Sequence, residues 1–357
     1  MKKGLLTLLF SLLYIILLSN EPVSYRLVNS DRLNINRSND EYITQLRGNV
    51  HFFYNDIEFK ANMADIFEMQ QIVTLKENVV IIQDTLNITC EDAVYDHKNQ
   101  YLRMHTNVVI TEVHDTETLR KITSNRATHH IDSGEFILQG NVFAADLIDD
   151  IFARAGFAIF NQETGYGYMI ERPVVWRAGA DSLALYAEKI EYFEDTNRII
   201  ASYDVLTQNS DIEVKSDFLI YYGDENRIVY IGDPKFYSEN GDGNADLITV
   251  FLEDNDIKEI QMEGNCFIEF SSNDNQIKEN WINSDYMNLF YQNNNPKKFI
   301  ARDNVNAFMV QNTQQRRNNM DNVVSGDLLN IIFNEDTNIE HLRINNSVRG
   351  KYRFERK

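Results

Sequence analysis

Apolar and polar residues alternate with a period of two along most of the chain. Apolar side chains recur at Val50, Phe52 and Tyr54, and again at Ile268 and Phe270. This period predicts β-strands that bury one face, because successive side chains of a strand point to opposite sides. Beyond the first 20 residues, no window of a dozen residues has the 3.6-residue period of an amphipathic helix. The pattern therefore predicts an all-β fold.

One short motif recurs ten times, at intervals of 29 to 43 residues. Its first copy is Gly48-Asn49-Val50. We call the third residue of each copy the anchor, and it is usually Val. The anchors are Val50, Val79, Val108, Val142, Val174, Val205, Lys235, Cys266, Val305 and Val348. The residue before the anchor is Asn, Asp, Ser or Pro, types that tolerate a bend or, except for Pro, a left-handed backbone. We expect about ten tandem repeats of ~30 residues that bury their apolar faces by stacking.

A second motif follows each anchor after about ten residues. In Phe59-x-Ala61-x-x-Ala64 the small residues are three positions apart, so the two-residue period breaks between them. One extra residue in a strand moves the following side chains to the other face unless the strand bends or bulges. The sequence therefore predicts a bulge or corner within the strands. Longer inserts near 271–280 and 311–322 are predicted to be protruding loops.

The N-terminus has the pattern of an export signal. Lys2 and Lys3 precede an apolar run from Leu5 to Leu18, which is too short for the ~20 residues of a spanning helix. We assign 1–20 to a signal peptide, either cleaved or kept as an anchor. Residues 21–41 are assigned to an N-terminal lead-in and 42–357 to one continuous repeat domain.

Charge and motif content narrow the function. The formal net charge of −20 repels phosphate backbones, so no nucleic-acid partner is expected. No spacing of a zinc site, nucleophile elbow or phosphate loop occurs, so we expect no catalytic residue, no metal and no cofactor. Cys90 and Cys266 fill positions that other repeats give to Ala, Ser or Val. They are interpreted as buried small residues, and a disulfide between them is left open.

The repeats resemble those of the OstA-like (LptA-type) family of periplasmic lipopolysaccharide-transport proteins. The resemblance rests on the Gly-Asn-Val motif, on the segment from Cys90 to Asp96 and on the ~30-residue period, and it is best from Tyr42 to about Phe160. It implies an elongated, open β-jellyroll, V-shaped with two facing sheets around an apolar groove. It also implies a periplasmic location, lipopolysaccharide or a similar glycolipid as ligand, and edge-to-edge β-pairing with other transport components or with a second copy.

By that resemblance, apolar residues on the repeat strands are candidates for lipid contact in the groove. They are Val50, Phe52, Val79, Ile81, Val108, Ile110, Val142, Val174, Trp176, Val205, Ile268, Phe270, Val305 and Met309. The same alternation is typical of an ordinary closed core, so that interpretation stays open. An exported parallel β-helix with a structural or adhesive role is the alternative from another class.

Overall fold

A computed structural model describes residues 25–38, 41–114, 117–148, 150–179, 183–239, 241–253, 256–271, 280–293, 295–312, 318–335 and 337–356. The predicted signal peptide, 1–20, lies outside the described residues. The described residues form 26 β-strands and two single-turn 3-10 helices, and no α-helix occurs among them. In this part of the chain, no helix has the length and apolarity needed to cross a bilayer. The all-β fold class is confirmed.

The chain divides into two compact units, 1–121 and 122–357, and the boundary falls within strand β8. The strands of unit 1 are β1 Tyr25–Asn29, β2 Arg32–Ser38, β3 Glu41–Tyr54, β4 Ile57–Phe67, β5 Ile72–Gln83, β6 Leu86–Asp96 and β7 Tyr101–His114, followed by β8 Glu117–His130 at the boundary. Unit 2 continues with β9 Glu135–Asp146, β10 Ile151–Asn161, β11 Tyr166–Ile170, β12 Val174–Arg177, β13 Ala184–Tyr186, β14 Lys189–Phe193, β15 Arg198–Gln208, β16 Ile212–Tyr222, β17 Arg227–Ile231, β18 Lys235–Ser238, β19 Gly241–Asn244, β20 Leu247–Glu253, β21 Asp256–Phe270, β22 Asn280–Gln292, β23 Asn295–Asn312, β24 Asn318–Phe333, β25 Ile339–Asn345 and β26 Arg349–Arg356. The 3-10 turns are Glu194–Thr196 and Gly223–Glu225.

Every repeat contains a corner made of two successive residues in the left-handed region. In the first repeat, Gly48 has φ +76° and Asn49 has φ +47°, directly before the anchor Val50. The β3–β4 ladder shifts register there, as at a β-bulge. The ten pairs are 48/49, 77/78, 106/107, 140/141, 171/172, 203/204, 232/233, 264/265, 303/304 and 346/347. The predicted corner is therefore present in every repeat.

In two repeats the anchor lies one residue earlier than the sequence pattern predicts. The left-handed pairs Glu171/Arg172 and Gly232/Asp233 are followed by Pro173 and Pro234, and both prolines are buried. The prolines therefore occupy the anchor position, and Val174 and Lys235 stand one residue beyond it. Proline suits this position because it follows a break in the ladder, where no backbone N–H is needed.

The corners divide the strands into two walls. Residues before a corner pair with one set of neighbours, the first wall, and residues after it pair with another set, the second wall. In β9, for example, Glu135–Gln139 precede the corner and pair with Phe157–Asn161 of β10 in the first wall, whereas Val142–Asp146 follow it and pair with Ile151–Ala155 in the second wall.

Contacts across the interior show that the two walls of each unit face each other. In unit 1 the rings of Tyr54 (second wall) and Tyr95 (first wall) are 5.5 Å apart. In unit 2 the hydroxyls of Thr207 (second wall) and Tyr230 (first wall) are 2.9 Å apart. Each unit is therefore a two-walled antiparallel structure with its core between the walls.

The strand assignment also bears on three sequence expectations. β1 and β2, within the predicted lead-in, both pair with β3. β23 extends to Asn312 and β24 begins at Asn318, so most of the predicted loop over 311–322 is strand instead. In the other predicted loop, residues 272–279 lie outside the described residues. All the described strand pairs are antiparallel, which excludes a parallel β-helix for this part of the chain.

Candidate functional site: the inner faces of the two walls

The inner face of unit 1 is closed next to its corners, along strands β3–β7. Two rows of side chains line each wall, the first row next to the corner and the second row two residues further along each strand. In strands β3–β7 every residue of these rows is at most 6% exposed. The first row is Leu46, Ala64, Leu75, Ala93, Met104, Val50, Ala61, Val79, Cys90 and Val108, and the second is Thr44, Ile66, Val73, Tyr95, Leu102, Phe52, Phe59, Ile81, Ile88 and Ile110.

Aromatic contacts fill the space between the walls of unit 1. The Phe52 and Phe59 rings stack at 5.2 Å, and the Phe59 ring lies 5.5 Å from Tyr95 of the facing wall. Well-packed interiors have few voids larger than a water molecule. Six of the predicted groove residues lie in this closed core: Val50, Phe52, Val79, Ile81, Val108 and Ile110.

Unit 2 has an inner face that is partly open. The first row of its first wall is buried from Ile190 in β14 to Leu329 in β24. In the second row, seven paired residues on successive strands are all half-buried or exposed, and we call them the open strip. The open strip is Tyr192, Ile199, Tyr221, Ile228, Val250, Ile260 and Leu289.

Buried residues bound the open strip on both sides. Gly167 of β11 pairs with Tyr192 at one end, and Phe299 of β23 pairs with Leu289 at the other. Six steps of ~4.8 Å between neighbouring strands make the strip roughly 29 Å long. No residue of the strip is charged, so its surface suits hydrocarbon rather than polar ligands.

The facing second wall is also uncharged along these strands. Its second row includes Leu185, Phe236 and Ile268, which are half-buried and pack against the core of unit 2. Thr207 interrupts this apolar row, and its hydroxyl is satisfied by the hydroxyl of Tyr230 across the interior. Burial raises the pKa of Tyr230 to about 12, so the phenol stays neutral at physiological pH. The interior of unit 2 here is therefore mainly apolar, and the Thr207–Tyr230 hydrogen bond crosses it from wall to wall.

The remaining inner-face candidates lie in unit 2. Val142, Val205 and Val305 are buried in the first row next to their corners. Ile268, Phe270 and Met309 are half-buried and pack against the core of unit 2. The sequence prediction missed the open strip because it followed the residues after each anchor. The apolar run from Ile228 to Ile231, before a corner, is the pattern that could have revealed it.

The first part of the chain is similar to a known protein family. Residues 24–163 match the family described as OstA-like protein. Over these residues, the chain is similar to the OstA-like family. The match includes β1–β10 and so contains the whole closed inner face of unit 1. The open strip begins at Tyr192, beyond the OstA-like segment.

Several solved structures are similar to this chain, and they include a bacterial periplasmic protein. It is LptH from Pseudomonas aeruginosa, described as the LptA homologous periplasmic component of the lipopolysaccharide transport device. The two chains are 12% identical, with a TM-score of 0.27, over 29% of this chain and 75% of that chain. Such a TM-score is too low for an inference about fold or function. Comparison with curated proteins finds no match.

Near the end of the OstA-like segment, two predicted groove residues prove to be on the outer face. Trp176 stacks on Phe152 at 5.7 Å and lies 6.4 Å from Phe143. Phe143 neighbours the buried Val142, so its side chain points the other way, and Val175 rather than Trp176 packs against the core. Val174 and Trp176 lie on the outer face because Pro173 takes the anchor position, and a one-residue displacement reverses the face.

Burial in the walls keeps the titratable side chains of Cys90, Cys266 and His129 uncharged near neutral pH. Burial raises the pKa of Cys90 and of Cys266 to about 12, and both thiols are free and buried. In β8, His129 stacks on Phe136 at 3.9 Å, and desolvation lowers its pKa to about 4. Among the described residues, no three His, Cys, Asp or Glu side chains are grouped to hold a metal ion.

Proposed function

We propose that this chain is an exported periplasmic protein that binds lipopolysaccharide or a related glycolipid and passes it between the inner and outer membranes. The open strip is the observation that carries this proposal, because it offers uncharged apolar surface between two walls. The OstA-like segment supports the same role through its family.

Hydrocarbon burial supplies the affinity in this proposal. Each methylene group removed from water stabilises the complex by about 0.8 kcal/mol, without any directed bond. Neighbouring strands of the strip present similar apolar residues, such as Ile199, Ile228 and Ile260. An acyl chain can therefore move from one strand to the next with little change in free energy, which is what transfer along a bridge requires.

The proposed partners are other lipopolysaccharide-transport components, or a second copy, joined through strand edges. Among the described residues, β2 pairs only with β3. Its inner-face residues Leu33 and Ile35 are 45% and 60% exposed. An unpaired strand edge with exposed apolar residues is a template for another β-strand, so this edge supports multi-protein assembly.

Native mass spectrometry of the protein purified from its own cell envelope tests lipid binding. We expect a copurified glycolipid on the wild-type chain. Ile228→Asn, in the open strip, should remove most of it, whereas Ile220→Asn, a half-buried isoleucine on the outer face of β16, should retain it. Absence of glycolipid from the wild type, or equal loss from both variants, would contradict the proposal.

The proposed location has its own test. N-terminal sequencing of the mature protein distinguishes a cleaved signal peptide from a retained membrane anchor. Cleavage near residue 20 is expected for a free periplasmic component, and an intact N-terminus would make the chain an inner-membrane-anchored member of the same system.

A further inference from the structure

We propose that lipid occupies the open strip of unit 2 alone, and that the OstA-like walls of unit 1 are a closed support that takes no acyl chain. This inference rests on the proposed function and assigns it to a defined part of the molecule. It places the lipid site outside the segment that carries the family match.

The closure of unit 1 is the first ground for the inference. Its second row is filled on both walls, with Phe52 and Phe59 fully buried and Ile66 2% exposed. An acyl chain could enter only by separating Phe59 and Tyr54 from Tyr95 of the facing wall. Separation would expose aromatic surface that is now buried. The free energy gained by burying an acyl chain there would be offset by the free energy lost in exposing the rings.

The dimensions of the open strip are the second ground, and they indicate a linear acyl chain as occupant. The strip is roughly 29 Å long, since it crosses seven strands ~4.8 Å apart. It is one residue deep, because the row beneath it, including Ile190 and Leu219, is buried. A surface that is long and one side chain wide matches a linear hydrocarbon chain.

The turns beside the strip are the third ground. The turn after β14 carries Glu194 and Asp195, and the turn after β16 carries Asp224 and Glu225, all four exposed. Glu225 is paired with Arg227 at 2.7 Å, and the other three carboxylates repel phosphate groups. The portion of a lipid that the strip holds is therefore its acyl chain, while an anionic headgroup stays away from these turns.

Spin labels on matched tyrosines test the inference on the full chain. Tyr221→Cys and Tyr192→Cys place a label in the open strip, and Tyr42→Cys places one on the inner face of unit 1, just beyond its two closed rows. Tyr192 and Tyr42 are 40% and 51% exposed, so their replacement should be tolerated. The native thiols need not be removed, since only the thiolate reacts and burial raises the pKa of both to about 12.

Purified lipopolysaccharide is the first probe, and lysophosphatidylcholine with one palmitoyl chain is the second. We expect either lipid to cause a several-fold loss of the mobile spectral component at 221 and 192, with no change at 42. Equal immobilisation at 42 would overturn the inference while leaving lipid binding intact. No response at any position would overturn both the inference and the proposed function. An unchanged thermal transition in each variant confirms that the labelled protein is folded.

Discussion

The hydroxyl of Thr207 lies 2.9 Å from the hydroxyl of Tyr230, and the two residues belong to opposite walls of unit 2. Thr207 is 1% exposed and Tyr230 is 3% exposed. Each hydroxyl is thus the hydrogen-bond partner of the other in an interior that is mostly apolar. The bond ties the walls together next to the open strip.

Removing one hydroxyl of this pair should destabilise unit 2. In Tyr230→Phe the Thr207 hydroxyl stays buried without a partner, which costs about 1–3 kcal/mol. Urea unfolding of the full chain measures the change. Adding Thr207→Val should recover part of the loss, because both polar groups are then gone. Tyr286→Phe, at a residue 43% exposed, is the control and should change stability little; equal effects of the two Tyr→Phe substitutions would contradict a structural role for the bond.

His129 predicts a pH-dependent stability. Burial lowers its pKa to about 4, and its Nδ1 atom is buried without a hydrogen-bond partner. The unfolded chain protonates this imidazole near pH 6.5, whereas the folded chain does so only near pH 4, so the unfolded state binds more protons between these values. Stability should therefore fall as pH decreases from 6.5 toward 4, by about 3 kcal/mol in total.

His129→Phe is the matched variant for this measurement. Phenylalanine keeps the stacking on Phe136 and removes the titrating group. Unfolding free energies between pH 7 and pH 4.5 should depend on pH less steeply in the variant than in the wild type. This interval lies mostly above the range where carboxylates titrate. Parallel curves for the two proteins would show that His129 does not contribute.

The left-handed corner residues predict two substitutions that change stability in opposite directions. Thr106 is β-branched and has φ +64°, a conformation that costs a non-glycine residue roughly 1–2 kcal/mol. Thr106→Gly should therefore raise stability by about 1 kcal/mol, after the entropy of glycine in the unfolded chain is deducted. Gly140→Ala should lower it, since Gly140 has φ +75° and an added Cβ would lie 2.7 Å from Nδ2 of Asn125. Thermal denaturation compares the two, and a loss of stability in Thr106→Gly would contradict the account of the corners.

The outer-face position of Trp176 predicts how its removal differs from removal of a core residue. Trp176→Ala loses a stacked ring and the contact with Arg154, whose Cζ lies 5.4 Å from the ring centroid. We expect a cost of about 1–2 kcal/mol and unchanged copurification of glycolipid. Phe52→Ala, in the closed core, should cost about 3–5 kcal/mol. Loss of glycolipid from Trp176→Ala alone would return this residue to the lipid site.

The repeats show how far the sequence determined the fold. The two-residue period and the recurring Asn-Val motif were sufficient to predict an all-β fold with a corner in each repeat, because both are local properties of the backbone. The corner residues were identifiable from their types, since Asn and Gly tolerate the left-handed region. The face of Trp176 was not, because Arg172-Pro173-Val174 can be aligned in two ways that differ by one residue, and one residue reverses the face.

The sequence by itself determined the alternation, the repeats and the polar or apolar character of each wall. Tertiary structure alone decided which apolar residues are closed off and which remain accessible. Ile66 and Ile228 occupy the same row and have the same chemistry, yet Ile66 is 2% exposed and Ile228 is only half-buried. The difference depends on what the facing wall places opposite each residue, an arrangement between positions far apart in the chain that no local pattern encodes.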